Sequence, residues 1–331
     1  MKAAVITRFG PPEVLEIREV ATPVPGAHDV LVRVHASALN RADLLQRIGK
    51  YPAPPDAPAD IPGIEFAGEV AATGSDATRW HAGDRVFGLI GGGAHAEYVT
   101  VHEATIARVP DNLSWNEAAA IPEAFITAYD ALVTQAALAA GERVLIHAVS
   151  SGVGLAAVQI VRSWGGVPYG TSRTADKLRI AFDAGMKAGI TLSDGVAPLG
   201  GAVSEWTGGR GMDVILDLVG GAYLPASIDA ASLKGRIMLV GAVGGAEATV
   251  DVRRILGKRL TLRGTVLRSR PLAEKIAVTE AFVRDVLPRL ASGKLQANID
   301  VVFPLQRLGD AHERVESNRS AGKVVIELPI A

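Results

Sequence analysis

Gly152-Val153-Gly154-Leu155-Ala156-Ala157 has the spacing G-x-G-x-x-A and follows directly on a short run of branched apolar residues, Val144 to Ala148. Small residues at such a turn let backbone N–H groups close on an anion, and the dipole of the following helix favours negative charge there. The chemistry is that of holding the phosphates of a dinucleotide, with a buried structural turn as the alternative. Around the turn, the apolar run suits a strand buried on both faces of a parallel sheet. Leu155, Val158 and Val161 fall at helical spacing, and Gly165 and Gly166 end that helix. A strand before and a helix after are the context the motif requires.

An NAD site places a carboxylate on the ribose hydroxyl about twenty residues past the first glycine. Here the count from Gly152 lands on Ser172, followed by Arg173 and Lys177. Their i, i+4 spacing puts both cations on one side of a helix start, which suits a 2′-phosphate and makes NADPH the expected cofactor. Asp176, the nearby acid, reads as a first-turn partner of the helix dipole. A solvated cationic face is the competing reading of Arg173 and Lys177.

Composition narrows the classes. With 331 residues, 48% of them hydrophobic, the chain suits two domains. Lys+Arg 34 against Asp+Glu 35 leaves a formal net charge of −1, which offers no field for nucleic acid or an anionic membrane. The absence of cysteine excludes disulfides, thiolate nucleophiles and cysteine-containing zinc sites. The apolar part of MKAAVITRFGPPE is too short for a signal peptide and no later run is long enough to span a bilayer, so a cytoplasmic protein is expected.

Up to about residue 110 short strands alternate with Gly/Pro turns: KAAVI, DVLVRVHASAL, FAGEVAATG, DRVFGLI and AEYVTV. YPAPPDAPADIPG, from Tyr51 to Gly63, is too rich in proline for helix or central strand and reads as an extended surface loop. SWNEAAAIPEAFITAYDALVTQAAL reads as a helix capped by Ser114 with Glu117 three residues on. Strands and helices then alternate from VPYGTS through AYLPASIDAASL and GRIMLVG to LTLRGT, the pattern of βαβ units and a doubly wound parallel sheet. One more amphipathic helix, AEKIAVTEAFVRDVLPRLASG, precedes a tail of strand character that is expected to rejoin the first module.

The chain resembles the zinc-free medium-chain dehydrogenases/reductases, specifically the NADPH:quinone oxidoreductases related to zeta-crystallin. ASALNRADLLQRIGKYP, IPGIEFAGEV, AAAIPEAFITAYDAL, HAVSSGVGLAAVQI and the terminal GKVVIEL carry the resemblance, in order and over essentially the whole length. The resemblance implies an α/β protein: a GroES-like, β-rich substrate domain from residues 1–123 and 267–331, a Rossmann domain from 124–266, and an active site in the cleft. In the family register Ser151 stands where many relatives have glycine. A serine there can donate to phosphate or nicotinamide, or simply be small enough to fit. Leu192 replaces a tyrosine that relatives often carry near the adenosine phosphate. By resemblance Asn40, Asp43, Thr127, Gly241, Leu267 to Ser269 and Lys323 approach the cofactor, beside Ser151, Gly152, Val153 and Gly154.

Zinc-dependent relatives hold their metal with a Cys, a His in Gly-His-Glu and a further Cys. Asn40, Gly63-Ile64-Glu65 and the Cys-free stretch Ala119 to Glu123 stand at those places, so no catalytic zinc is expected. His95-x-Glu97 is the one pair a metal could use, on one face of a strand, and a structural role is the better reading. Tyr51 corresponds to a pocket tyrosine of quinone reductases and to the proposed proton donor of enoyl-thioester reductases. A phenol can protonate a developing enolate, and a stacking lid is the alternative. Asn40 and Asp43 lie beside it in the family picture, and Asp43 could equally pair with Arg41 or Arg47.

Without a metal, hydrogen-bond donors must stabilise the charge formed on hydride transfer, which favours quinones and conjugated enones as substrates. The leading expectation is an NADPH-dependent quinone reductase. Its enzyme rival reduces 2-enoyl thioesters with Tyr51 as donor, and a non-enzymatic cofactor- or RNA-binding protein is the alternative of another class. A homodimer is expected through the last Rossmann strands, around Arg236 to Gly241 and Leu260 to Thr265, because an apolar edge strand favours pairing.

Overall fold

The computed structural model describes residues 1–328, so the last three residues of the expected 267–331 segment lie outside the described residues. The chain divides into two compact units, residues 1–126 with the segment from 267 onward, and residues 127–266.

The first unit is built on a seven-stranded sheet. Its central strand, Asp29–Leu39, pairs antiparallel with Lys323–Glu327, Glu65–Thr73 and Tyr98–His102. Burial alternates along its first half and becomes continuous from Val34 to Leu39, so one end faces solvent on one side and the other end lies inside. Val32, Phe66, Val86, Leu305 and Ile326 pack beneath it. The tail does rejoin this module: Lys323–Glu327 joins the sheet and carries Ile299–Pro304 on its other side.

The second unit is a six-stranded parallel sheet in the order Ala188–Thr191, Val167–Ser172, Arg143–Ile146, Met212–Asp217, Ala231–Leu239, Thr261–Gly264. In chain order this is 3-2-1-4-5-6, the Rossmann arrangement, in which ligands bind at the carboxyl ends of the strands where the order reverses. The reversal falls between Arg143–Ile146 and Met212–Asp217.

Three sequence expectations change. The capping box forms, with Ser114 Oγ accepting from Glu117 N and Glu117 Oε2 accepting from Ser114 N. The segment behind it is nevertheless broken into Trp115–Ala119, Pro122–Tyr129 and a wider π-type turn at Asp130–Gln135. Pro122 has no N–H to continue the first helix. The later amphipathic helix likewise divides into Leu272–Asp285 and Leu287–Ala291, with Pro288 in the first turn of the second. The helix within AYLPASIDAASL stops at Ala230, and the residues after it open the strand Ala231–Leu239. That strand is paired on both sides, so within the sheet only Thr261–Gly264 offers a free edge next to it.

Candidate active site

In the first unit, four polar side chains converge at the end of the central strand. Asn40 leaves the strand in extended geometry, φ −128°, and caps the helix Arg41–Arg47. Its Nδ2 donates to Glu65 Oε1 at 2.8 Å and to Ala38 O at 3.2 Å, while its Oδ1 accepts from Lys323 Nζ at 2.6 Å. Lys323 also donates to Leu39 O and lies 2.5 Å from Glu65 Oε1. The other Glu65 oxygen accepts from the backbone N–H of Glu123 at 2.8 Å. Glu65 and Lys323 are both buried, and the ammonium is fully engaged by three acceptors.

Asp43 is fully buried, which pushes its carboxyl above the usual range, and two backbone N–H groups pull it back. Oδ2 accepts from Asn40 N at 2.7 Å and Oδ1 from Gly63 N at 2.8 Å. Neither arginine expected as a partner takes that role. Arg41 bonds Asn318, and Arg47 donates to Gly10 O and Glu316 and lies beside His312. With both oxygens engaged by backbone, Asp43 fixes the turn at Gly63, whose φ of +101° and close neighbour His95 N, 2.6 Å from an added Cβ, admit only glycine.

By the resemblance, Asn40, Gly63-Ile64-Glu65 and the stretch Ala119 to Glu123 stand at the places of the zinc ligands named above. Ile64 offers no donor, Asn40 is engaged in full, and Glu65 already faces an ammonium, so this set does not fit a divalent cation. Nor do His95 and Glu97 converge on a metal. They lie in the irregular segment before Tyr98–His102, not in a strand; His95 Nδ1 meets Ser37 Oγ at 2.8 Å, and Glu97 accepts from Lys2 N.

Tyr51 opens the proline loop. Its ring is half-buried, its backbone N–H donates to Leu45 O, and among the described residues no hydrogen bond holds its hydroxyl. Burial pushes the phenol above its ordinary value, Arg268 draws it down and Glu123 opposes Arg268. The guanidinium of Arg268 lies 5.1 Å from the ring centroid. Sequence reasoning took Arg268 only as the middle of the Leu267 to Ser269 run; a single cation in a loop gives no sign of its burial.

In the second unit the turn after Arg143–Ile146 is tighter than glycine spacing alone implies. Ala148 adopts a left-handed φ of 49°, and a Cβ on Gly154 would sit 2.5 Å from Val149 O. The helix is Gly152–Ser163, beginning two residues before Gly154, with Ser151 as its cap. Ser151 Oγ accepts from Gly154 N at 3.1 Å, which leaves its own O–H free to donate. The amides of Gly152 and Val153 lie in the first turn, outside the helical hydrogen-bond ladder. Thr127 Oγ1 is buried and has no hydrogen-bond partner among the described residues. An open set of amides at a helix start and an orphaned hydroxyl fit a phosphate-bearing dinucleotide.

Ser172 ends the second strand and is buried; Arg173 is exposed just ahead of Thr174, the N-cap of Ala175–Asp183. The two cations therefore do not share a helix face as expected: Lys177 lies in the first turn, while Arg173 precedes the helix and acts electrostatically on the Tyr223 phenol. Leu192 is buried. Gly241 follows Ala231–Leu239 where a Cβ would press on Leu218 O at 2.6 Å. Leu267 is half-buried and Ser269 exposed.

Family models match in both units: the alcohol dehydrogenase GroES-like domain over residues 26–111 and the zinc-binding dehydrogenase over residues 152–283. Human quinone oxidoreductase is 32% identical over 99% of this chain and 98% of its own. Among solved structures, a quinone oxidoreductase from Pseudomonas syringae pv. tomato superposes with a TM-score of 0.88 at 29% identity, covering 98% of this chain and 99% of its own. A mycobacterial protein solved with NADPH gives 0.90 at 27% identity, covering 99% and 100%. Full-length likeness in sequence and fold, on a Rossmann turn open to phosphate, carries one conclusion: the chain belongs to the quinone oxidoreductase family of medium-chain dehydrogenases/reductases and is an NAD(P)-dependent oxidoreductase.

Proposed function

We propose that this enzyme transfers hydride from NADPH to quinones and related conjugated carbonyls without the help of a metal. The observation that supports this reading is the buried Lys323–Glu65 pair, which also engages Asn40: by the resemblance Asn40 and Gly63-Ile64-Glu65 stand where zinc-dependent relatives hold their metal, and here these polar groups engage one another. A substrate reduced here must accept hydride readily without a Lewis acid, as quinones and enones do.

The amides of Gly152 and Val153 and the Ser151 hydroxyl would hold the pyrophosphate, Thr127 Oγ1 offers a further polar contact, and Ser172, Arg173 and Lys177 would take the 2′-phosphate. The nicotinamide bound there supplies the hydride. Glu65 and Lys323 hold the Asn40 amide in one orientation. Asp43 holds the backbone on either side of it. Tyr51 keeps its proton at neutral pH, because burial outweighs the pull of Arg268.

The free hydroxyl of Tyr51 favours a second reading, reduction of 2-enoyl thioesters with the phenol as proton donor. NADPH oxidation with ortho-quinones and with crotonyl or acryloyl thioesters, for the enzyme and Tyr51→Phe, separates the two. Loss of the phenol should lower kcat on enoyl thioesters by ~10²-fold, the lower end of general acid catalysis. Quinone turnover should stay within a few-fold, because a hydroquinone anion takes its proton from water. Turnover of thioesters alone would refute the quinone reading.

A further inference from the structure

Arg268 is a buried cation bound only to neutral acceptors. Nε donates to Gly91 O at 2.6 Å, Nη2 to Gln46 Oε1 at 2.5 Å, and Nη1 approaches the carbonyl of Tyr51 at 3.5 Å. No carboxylate lies within ion-pair distance of it among the described residues; Asp43 and Glu123 act on it only through space. A buried guanidinium without a counter-ion is costly, and such a cost persists where the charge has a use.

One of the Arg268 contacts reaches the first residue of the proline loop, at the Tyr51 carbonyl; the others go to Gln46 on the helix Arg41–Arg47 and to Gly91. Gln46, which accepts from Arg268, donates Nε2 to Ala59 O at 3.0 Å, so one side chain ties Arg268 to the far part of the loop. Lys275 holds the middle of the loop through Asp56 at 3.0 Å. The guanidinium lies over the Tyr51 ring, a neutral group that can become an anion.

We propose that Arg268 is a positioning residue for Tyr51: it fixes the phenol in the loop and supplies the counter-charge for the phenolate formed as Tyr51 gives up its proton. The inference rests on the reading of Tyr51 as proton donor. In that step the Tyr51 O–H bond breaks and its electron pair stays on the phenolic oxygen. A C–H bond forms at the carbanionic carbon of the enolate, and water later restores the phenol. The charge passes from the enolate to a site already facing an uncompensated cation, so it is stabilised as it arrives and not before. Arg268 pulls the phenol towards ionisation against burial, Glu123 opposes it, and Asp43 faces Arg268 from the helix Arg41–Arg47.

The test is the ultraviolet phenolate titration of Tyr51, read as the difference between the intact enzyme and Tyr51→Phe, alongside kcat on crotonyl thioester. Arg268→Met should raise the Tyr51 titration by about one pH unit or more. It should also lower kcat about tenfold, with KM changing less, and Arg268→Lys should recover part of both. Gln46→Glu keeps the guanidinium and gives it a permanent counter-ion; it should move the titration in the same direction, and it decides the matter if Arg268→Met does not fold. An unmoved titration in a folded variant of either residue, with Tyr51→Phe still defective on thioesters, overturns the role of Arg268 alone. Full thioester turnover by Tyr51→Phe overturns the donor reading and this role with it.

Discussion

Lys323 Nζ lies 2.5 Å from Glu65 Oε1, with both side chains buried at the end of the central strand of the first unit. The pair joins segments far apart in sequence and also holds Asn40 through both ends of its amide. Removing one partner leaves a buried, unpaired charge, so Lys323→Met should cost about 3–5 kcal/mol of folding stability. The double variant Glu65→Gln with Lys323→Met should recover much of that loss in denaturant unfolding. Equal losses in the single and double variants would show that the pair is not coupled.

Arg173 is exposed ahead of its helix and is proposed above to take the 2′-phosphate, and each charge-assisted hydrogen bond contributes ~1.5–3 kcal/mol. Arg173→Ala should weaken NADPH binding roughly tenfold or more and leave NADH nearly unchanged, as measured by fluorescence titration. Equal losses for both cofactors would place Arg173 away from the 2′-phosphate.

Thr261–Gly264 leaves one edge of the Rossmann sheet unpaired, and the neighbouring helix Val252–Lys258 buries none of its residues. Val252 and Leu256 on that helix are 58% and 70% exposed. A second copy meeting this edge would cover them, so light scattering at micromolar concentration should report a dimer and Leu256→Glu should shift it towards monomer. A monomer in the unaltered protein would refute the expected homodimer.

Four buried histidines, His35 among them, contribute to the acid response, each lowered by burial. Burial lowers His95 to about 3 and His147 to about 4, and holds His312 well below its ordinary value. Each stays neutral in the folded chain while the unfolded chain takes up a proton below about 6.5. Their stabilising effect is therefore complete above that pH and is lost as pH falls towards the folded values. Melting temperature should decline from pH 6.5 to pH 4, and His95→Asn should make the decline shallower. Asp43, whose carboxyl is raised, acts in the opposite sense, so a variant at Asp43 should steepen it.

The Rossmann half was legible because its information is local: a buried apolar run, a small-residue turn and a helical period follow one another within Val144 to Val161. The proline loop and the Ser114–Glu117 capping box were legible for the same reason, since proline and cap chemistry act within a few residues. The Lys323–Glu65 bond, the bonding of Asp43 to Gly63 in place of a nearby arginine, and the placing of Arg268 over Tyr51 were decided by tertiary structure. Each depends on strands and loops distant in sequence meeting at one buried point. There the penalty for leaving a charge or a polar group unsatisfied selects the partner, and no local spacing records that choice.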